Sequence, residues 1–295
     1  MKQATTTDQQ IALLRRRGMD VGDEAKAEEH LLDIGYYRLG FYWFPFEKSY
    51  PALTGRTHEF KQGTRLDDAV SLYYFDFDLR NILLRYISRI EINFRTTIVY
   101  MASNQYAADP YWYINPDMVE ANFLESARYK EFLKNLDQEP AIRQHTKTHP
   151  HAPTPPAWKA LEFATFGTII SLCAHLRNND LRCRIARRYG FRKNSQMLNY
   201  MHTIRKLRNH CAHGRVLFDV HLDQAVCKGP LGDLGLQKTS LSGMCQVTCY
   251  LLRQISTHRA EDMQAAIEKA YAAVPSPAAK QVIAAGSGLL EWLKK

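Results

Sequence analysis

The chain has 295 residues, of which 45% are hydrophobic, and a formal net charge of +9. This hydrophobic content is enough for one large domain, or two modest ones, with a buried core. It contains no run of about 18 uncharged apolar residues, which a membrane-spanning helix would need. The first ten residues lack an apolar segment of signal-peptide length. We therefore expect a cytoplasmic protein with no membrane partner.

Cysteine and histidine spacing gives little support for a disulfide framework or a metal site. The six cysteines all lie in the C-terminal half, and six in a chain of this length do not form the dense pattern of disulfide-rich domains. His145, His149 and His151 lie among four prolines, which raises the possibility of metal binding. No acid or cysteine completes that set, and a proline-rich loop does not orient ligands. The sequence predicts no metal and no cofactor.

The positive charge is concentrated in one segment. Residues 177–215 contain eleven Lys or Arg and a single acid, Asp180, so this segment carries +10 and the rest of the chain is close to neutral. A solvated surface normally mixes both signs, whereas a surface of one sign attracts a polyanion. Ordinary solvent exposure is the other interpretation, and charge alone does not choose between nucleic acid and an acidic membrane. The candidate RNA-binding residues are Arg182, Arg184, Arg187, Arg188, Arg192 and Lys193.

Hydrophobic residues recur at helical spacing along the whole chain, and no clean period-two runs indicate strands. The sequence therefore predicts an all-α fold. Besides two helices near the end of the chain, the predicted helices span residues 9–17, 23–36, 66–103, 117–138, 157–176, 195–213 and 241–258.

We expect one integrated domain over residues 1–295. Its predicted parts are N-terminal helices with an aromatic segment (1–60), a helical core (66–258) and C-terminal helices (259–295). Residues 36–46 form the aromatic segment. Packing between helices is its favoured interpretation, and base stacking is the alternative, because aromatic side chains near basic ones hold unpaired bases.

The helix predicted over residues 195–213 carries the candidate catalytic residues. At about 100° per residue, one face presents His202, Lys206, Asn209 and His213, with Arg205 and Arg208 beside it. No acid of the same helix accompanies them, so ion pairs within the helix do not explain this face. The opposite side is apolar and is predicted to face the core, with Met197, Tyr200, Ile204, Leu207 and Cys211.

These residue types suit RNA cleavage without a metal. That reaction needs a base for the 2′-hydroxyl proton, an acid for the leaving 5′-oxygen, and positive charge on the phosphate. Histidine serves in either proton-transfer role, and arginine clamps a phosphate with two hydrogen bonds. Two copies of His213, from two subunits, would supply acid and base together. The alternative is structural, with Arg208 against the core and His213 as a favoured cation at the helix end.

A resemblance to a known family adds to this interpretation. The segment Arg208-Asn209-His210-Cys211-Ala212-His213 resembles the signature of the HEPN superfamily, in which Arg, often followed by Asn, precedes His by four to six intervening residues. The order of the other segments is similar to the Abi-like (abortive infection) family of that superfamily. The resemblance covers roughly residues 10–220 and rests on residues 17–19, 34–46, 73–80, 89–96, 155–158, 161–162 and 165–168.

The resemblance implies an HEPN-like C-terminal core with N-terminal helices packed on it. It also implies a homodimer whose motif helices face each other across a basic cleft, RNA cleavage without metal, and a role as a toxin in growth arrest or phage defence. Arg208, Asn209 and His213 become the candidate catalytic residues. A toxin of this kind would need restraint, for which an inhibitory RNA or protein is the expected partner. The predicted supporting residues are Glu91, Arg95, His202, Arg205 and Lys206.

The chain departs from the family pattern in two places. Gly214 alone separates His213 from Arg215, whereas many relatives have two residues there, so no role carries over to Arg215. Residues after about 220 show no resemblance. Because some HEPN proteins bind RNA without cutting it, a non-catalytic RNA-binding module is the alternative function.

Overall fold

The computed structural model describes residues 3–293, which contain fifteen α-helices and no β-strand. The predicted all-α helical bundle is confirmed. The helices of the N-terminal half are α1 (Thr7–Arg16), α2 (Glu24–Asp33), α3 (Tyr36–Trp43), α4 (Leu66–Gln105), α5 (Ala121–Leu124), α6 (Ala127–Leu136) and α7 (Pro140–Thr148). Those of the C-terminal half are α8 (Ala157–Ala160), α9 (Phe166–Ala174), α10 (Asn179–Arg188), α11 (Asn194–Ala212), α12 (Leu241–Arg253), α13 (Thr257–Ala272), α14 (Pro277–Ser287) and α15 (Leu289–Leu293).

Helix α4 is the central element of the bundle. Its 40 residues extend for about 60 Å. Helix α3 and each of the helices from α8 to α14 pack along it. Its core face repeats every three or four residues and includes Leu72, Leu79, Leu83, Ile90 and Ile98, all fully buried. Although α4 is long, no helix in the described part of the chain combines the length and apolarity needed to cross a membrane.

Several predicted helices are divided where capping residues or a glycine interrupt them. Gly35 has φ of +93°, a value that favours glycine, and it separates α2 from α3. Ser126 and Thr165 each accept the N–H of the residue three positions later, and these bonds start α6 and α9. The helices predicted over 117–138 and 157–176 are therefore each broken, because apolar periodicity continues across a cap, and the helix predicted over 23–36 ends at Asp33.

Three of the seven aromatic side chains in the segment 36–46 lie in the core and two more are partly buried, in agreement with the favoured interpretation. Tyr42, Trp43 and Phe46 are buried, and α3 packs directly against α4. Tyr37 and Phe41 are exposed instead. The segment therefore joins the N-terminal helices to the central helix while leaving two rings at the surface.

A buried carboxylate on α4 fastens the chain that follows α11. Asp76 accepts the backbone N–H groups of Leu217 and Phe218 at 2.7 and 2.9 Å. The hydroxyl of Tyr42 donates to the same carboxylate at 3.2 Å, and the Arg80 guanidinium lies 3.7 Å from it. Burial outweighs these favourable contacts and raises the pKa of Asp76 to about 7. The segment after the motif helix is thus tied to a residue 141 positions earlier.

Replacing Asp76 with Ala should strongly destabilise the fold. The change leaves two buried backbone N–H groups without an acceptor and the buried Arg80 guanidinium without its carboxylate. We therefore expect a loss of about 3 to 5 kcal/mol in the free energy of unfolding. Urea denaturation measures it. Asp78→Ala is the control, because Asp78 is exposed on the same helix and such a change should cost less than about 0.5 kcal/mol. Equal losses in the two variants would contradict the role given to Asp76.

Candidate active site

Helix α11 has the two faces that its sequence predicts. The residues of the apolar side lie in the core, where Tyr200, Ile204 and Leu207 are fully buried. On the other side Asn209 and His213 are exposed. Neither the Asn209 amide nor the His213 imidazole takes part in a hydrogen bond or an ion pair with the described residues. Both side chains are therefore available to a ligand or to another subunit.

The motif ends in a helix cap that depends on a glycine. His213 is the residue that caps α11, and Gly214 follows it with φ of +63°, a left-handed conformation. The N–H of Gly214 donates to Cys211 O at 3.2 Å, and the N–H of Arg215 donates to His210 O at 2.9 Å. These two bonds form a Schellman motif, which satisfies the last carbonyls of the helix. The position of His213 is thus fixed by backbone geometry.

Two arginines from the N-terminal half hold the carbonyls just beyond this cap. Arg38 Nη1 donates to Gly214 O at 2.7 Å, and Arg80 Nη1 donates to Arg215 O at 3.3 Å. Together with the amide bonds to Asp76, these contacts fix the chain on the far side of His213. Residues from α3 and α4 therefore determine where the motif helix ends in space.

Arg208 belongs to a charged chain that includes two of the predicted supporting residues. Its Nε lies 3.7 Å from Glu91 Oε2, and Glu91 Oε1 lies 3.7 Å from Arg95 Nη2. Arg95 also donates to Glu162 at 3.3 Å and to Ala164 O at 3.1 Å. The Arg208 side chain is 43% exposed. Glu91 can therefore orient Arg208 without removing its guanidinium from the surface.

A cleft of about 500 Å³ adjoins this chain of charges. Of the residues predicted from sequence, its lining includes Glu91, Arg205, Arg208 and Asn209, and His213 lies outside it. Helix α6 contributes Arg128, which the sequence did not single out, and α9 contributes Gly167, which lies in one of the segments that carry the family resemblance. A Cβ on Gly167 would lie 3.2 Å from Arg205 Nη1, so a glycine lets the two helices approach closely. No motif or residue spacing in the sequence points to Arg128.

The remaining supporting residues on α11 have different surroundings. Burial, followed by the charges of Arg205, Lys206 and Arg128, lowers the pKa of His202. Lys206 Nζ lies 3.6 Å from Asp223, an exposed acid beyond the motif. The helix face that lacks acids of its own is thus partly balanced by Asp223 here and by Glu91 at Arg208, both from other elements.

A comparison with protein families identifies the group to which the chain belongs. The family described as Abi-like protein matches residues 29–219, about two thirds of the chain. The chain belongs to the Abi-like family. No curated protein and no solved structure matches it. The matched range contains Glu91, Arg208 and His213 together with every residue that fastens the end of α11, so the Abi-like resemblance seen in the sequence is confirmed.

In this Abi-like protein the candidate RNA-binding residues lie away from the motif. Five of them are exposed, whereas Arg182 is partly buried and donates to Ala174 O at 3.1 Å. Arg192 and Lys193 precede α11 and His213 follows it, and a helix of 19 residues is about 28 Å long. The structure therefore separates Arg192 and Lys193 from His213 by the length of α11. The exposed five are Arg184, Arg187, Arg188, Arg192 and Lys193.

Two exposed aromatic side chains lie on α3, the helix whose Arg38 contacts the chain just beyond the motif. Tyr37 and Phe41 are one helical turn apart on α3, and their ring centroids are 5.4 Å apart in an edge-to-face arrangement. Arg38, between them in sequence, contacts Gly214. Base stacking, the alternative for the aromatic segment, would require rings at the surface such as these two, while their buried neighbours serve in packing.

Two histidines of the proline-rich segment pack against each other and against a lysine. The rings of His145 and His149 stack at 4.3 Å, and Lys159 Nζ lies 3.1 Å from His145 Nδ1. Among residues 3–293, no group of three or more His, Cys, Asp or Glu side chains is arranged to hold a metal ion.

Replacing Gly214 with Ala should destabilise the fold for two separate reasons. A left-handed φ costs a residue with a Cβ about 1 to 2 kcal/mol, and the new Cβ would also lie 3.3 Å from Arg38 Nη1. Gly232→Ala is the matched control, since Gly232 has φ of +74° and nothing within 4 Å of its Cβ position. Urea denaturation of both variants should show the larger loss for Gly214→Ala. A loss no larger than that of Gly232→Ala would show that Arg38 does not constrain the helix end.

Proposed function

We propose that this Abi-like protein is a metal-independent endoribonuclease of the HEPN type, which acts as a toxin in phage defence. One observation carries the proposal. Asn209 and His213 are exposed and have no side-chain partner among residues 3–293, and they follow the partly exposed Arg208 within five residues at the fixed end of α11. A proton-transfer group, an amide and a permanent cation are thereby available together to one phosphodiester. Membership of the Abi-like family supports the biological role, since loss of RNA arrests growth.

The proposed reaction uses the RNA's own 2′-hydroxyl as nucleophile. One His213 imidazole takes the hydroxyl proton while the 2′-oxygen attacks the adjacent phosphorus. The bond from phosphorus to the 5′-oxygen breaks, and a second imidazole gives that oxygen a proton. Arg208 stabilises the charge on the phosphoryl oxygens, and Asn209 orients the phosphate by hydrogen bonding. The products are a 2′,3′-cyclic phosphate and a 5′-hydroxyl end.

The second imidazole requires a second copy of the chain. One chain carries one motif, so we propose a twofold homodimer in which two copies of α11 end near the axis. The exposure of His213 at the end of α11 supports this arrangement. An inhibitory RNA or protein that covers the site would restrain the toxin.

The exposed arginines around α10 are proposed to hold the body of the RNA. Arg184, Arg187, Arg188, Arg192 and Lys193 are exposed, and cations that neutralise phosphates give binding that weakens as salt increases. This role needs only charge, whereas the motif residues also need geometry.

His213→Ala should abolish cutting while RNA binding persists. Loss of a general acid–base typically lowers the rate by about 10²- to 10⁴-fold. Purified protein is incubated with single-stranded RNA in EDTA, and end-group analysis identifies the products. His210→Ala is the control, because His210 Nδ1 lies 3.0 Å from Lys206 O and takes no part in the proposed chemistry. Cleavage of a substrate with a 2′-deoxy sugar at the cut site, or dependence on Mg²⁺, would contradict the mechanism.

Mixing wild-type protein with His213→Ala protein should test the shared site. If both imidazoles of a dimer are needed, activity after subunit exchange should follow the square of the wild-type fraction at constant total protein. Independent subunits would give a linear decrease, and light scattering would show a monomer if the dimer itself is wrong. Dilution with His210→Ala protein serves as the control and should leave activity unchanged.

A further inference from the structure

Two arginines of the cleft have no partner in the described structure. Arg128 lies in the first turn of α6 and Arg205 lies on α11, and both line the cleft. Among residues 3–293, neither guanidinium forms a hydrogen bond or has a carboxylate within 4 Å. The Nε of Arg205 is buried without an acceptor. A ligand that supplies an acceptor to such a buried donor gains a hydrogen bond at little cost, so Arg205 is suited to hold an anion in the cleft.

The two guanidinium groups lie close enough to influence each other. Burial and then the charge of Arg128 lower the pKa of Arg205, and the same charge contributes to the lowered pKa of His202. Two like charges facing one cleft repel each other unless an anion lies between them. Arginine binds phosphate through paired hydrogen bonds, which makes a phosphate the anion of best fit.

The rest of the cleft is suited to a larger ligand than an anion alone. Its walls include Phe132, Leu136 and the partly exposed ring of Phe163. Glu131 and Glu139 also line it and would weaken the binding of a bare anion, while their oxygens can accept hydrogen bonds from the N–H groups of a base. A volume of about 500 Å³ falls within the range of small-molecule sites.

We propose that this cleft binds one nucleotide of a single-stranded RNA, with its phosphate between Arg128 and Arg205 and its base against Phe163. Glu131 and Glu139 are the acceptors for the edge of the base. The proposal rests on the proposed ribonuclease function, and it adds a nucleotide subsite to it. Since Arg208 and Asn209 line the same cleft, the bound nucleotide is a close neighbour of the phosphate to be cut.

Mononucleotide binding tests the subsite without any RNA cleavage. Isothermal titration measures the four nucleoside 5′-monophosphates and inorganic phosphate against wild type, Arg128→Ala and Lys130→Ala. Lys130 is the matched control, because it is exposed on α6 but does not line the cleft. We expect nucleotides to bind more tightly than phosphate, Arg128→Ala to weaken them about tenfold or more, and Lys130→Ala to leave them unchanged. Equal affinity in wild type and Arg128→Ala, or phosphate as tight as nucleotides, overturns the proposal.

A second measurement extends the test to RNA. In His213→Ala protein, which binds without cutting, adding Arg128→Ala should lower the salt dependence of single-stranded RNA binding by about 0.7 in the log–log slope, which is one phosphate contact. Adding Lys130→Ala instead should leave this slope unchanged. If polyglutamate competes with mononucleotides as effectively as RNA does, the cleft is suited to an acidic protein segment, and the proposal is overturned.

The two proposals fail in different ways. Nucleotide binding that depends on Arg128, in a protein that does not cut RNA, keeps the subsite and removes the ribonuclease. Cutting that depends on His213 but is indifferent to Arg128, in both rate and affinity, keeps the ribonuclease and removes the subsite.

Discussion

The buried carboxylate of Asp76 is the constraint on which the geometry of the motif depends. It accepts two consecutive backbone N–H groups, those of Leu217 and Phe218, so the chain leaving α11 has one position relative to α4. On the other side of His213, Cys211 is anchored in the core. A residue held between two fixed points needs no contacts of its own to be placed accurately. The His213 imidazole can therefore remain free for chemistry.

Some basic side chains of the fold have an acidic side chain nearby, and others do not. Glu91 approaches Arg208 and Asp223 approaches Lys206, each from an element other than α11. Among residues 3–293, Arg128 and Arg205 have no carboxylate within 4 Å, although Glu131 and Glu139 line the same cleft. Arg128 is exposed, whereas Arg205 is partly buried. Because a partly buried cation without a partner is unfavourable, a ligand that supplies an anion beside Arg205 gains from binding there. Pairing within the protein thus indicates where the RNA is expected to bind.

The sequence predicted features that depend on local spacing and missed those that depend on contacts between distant segments. Apolar periodicity identified α4 and α11 nearly to their ends, and the turn of 100° per residue separated the core face of α11 from its polar face. The breaks at Ser126 and Thr165 were missed because a cap adds one hydrogen bond without disturbing the apolar pattern. Arg128 was missed because the cleft exists only where α6, α9 and α11 meet.

The position of the cleft along α11 connects the two parts of the proposed RNA site. At about 1.5 Å per residue, Arg205 lies about 18 Å from Lys193 and about 12 Å from His213 along the helix axis. The exposed cations at the start of the helix, the cleft beside its C-terminal half and His213 at its end therefore follow one another in order along the helix axis. A single strand that starts at Lys193 would meet Arg205 in the cleft before it reaches His213. Unpaired bases are needed to enter such a cleft, so this order favours single-stranded RNA over a duplex, whose bases are already paired and stacked.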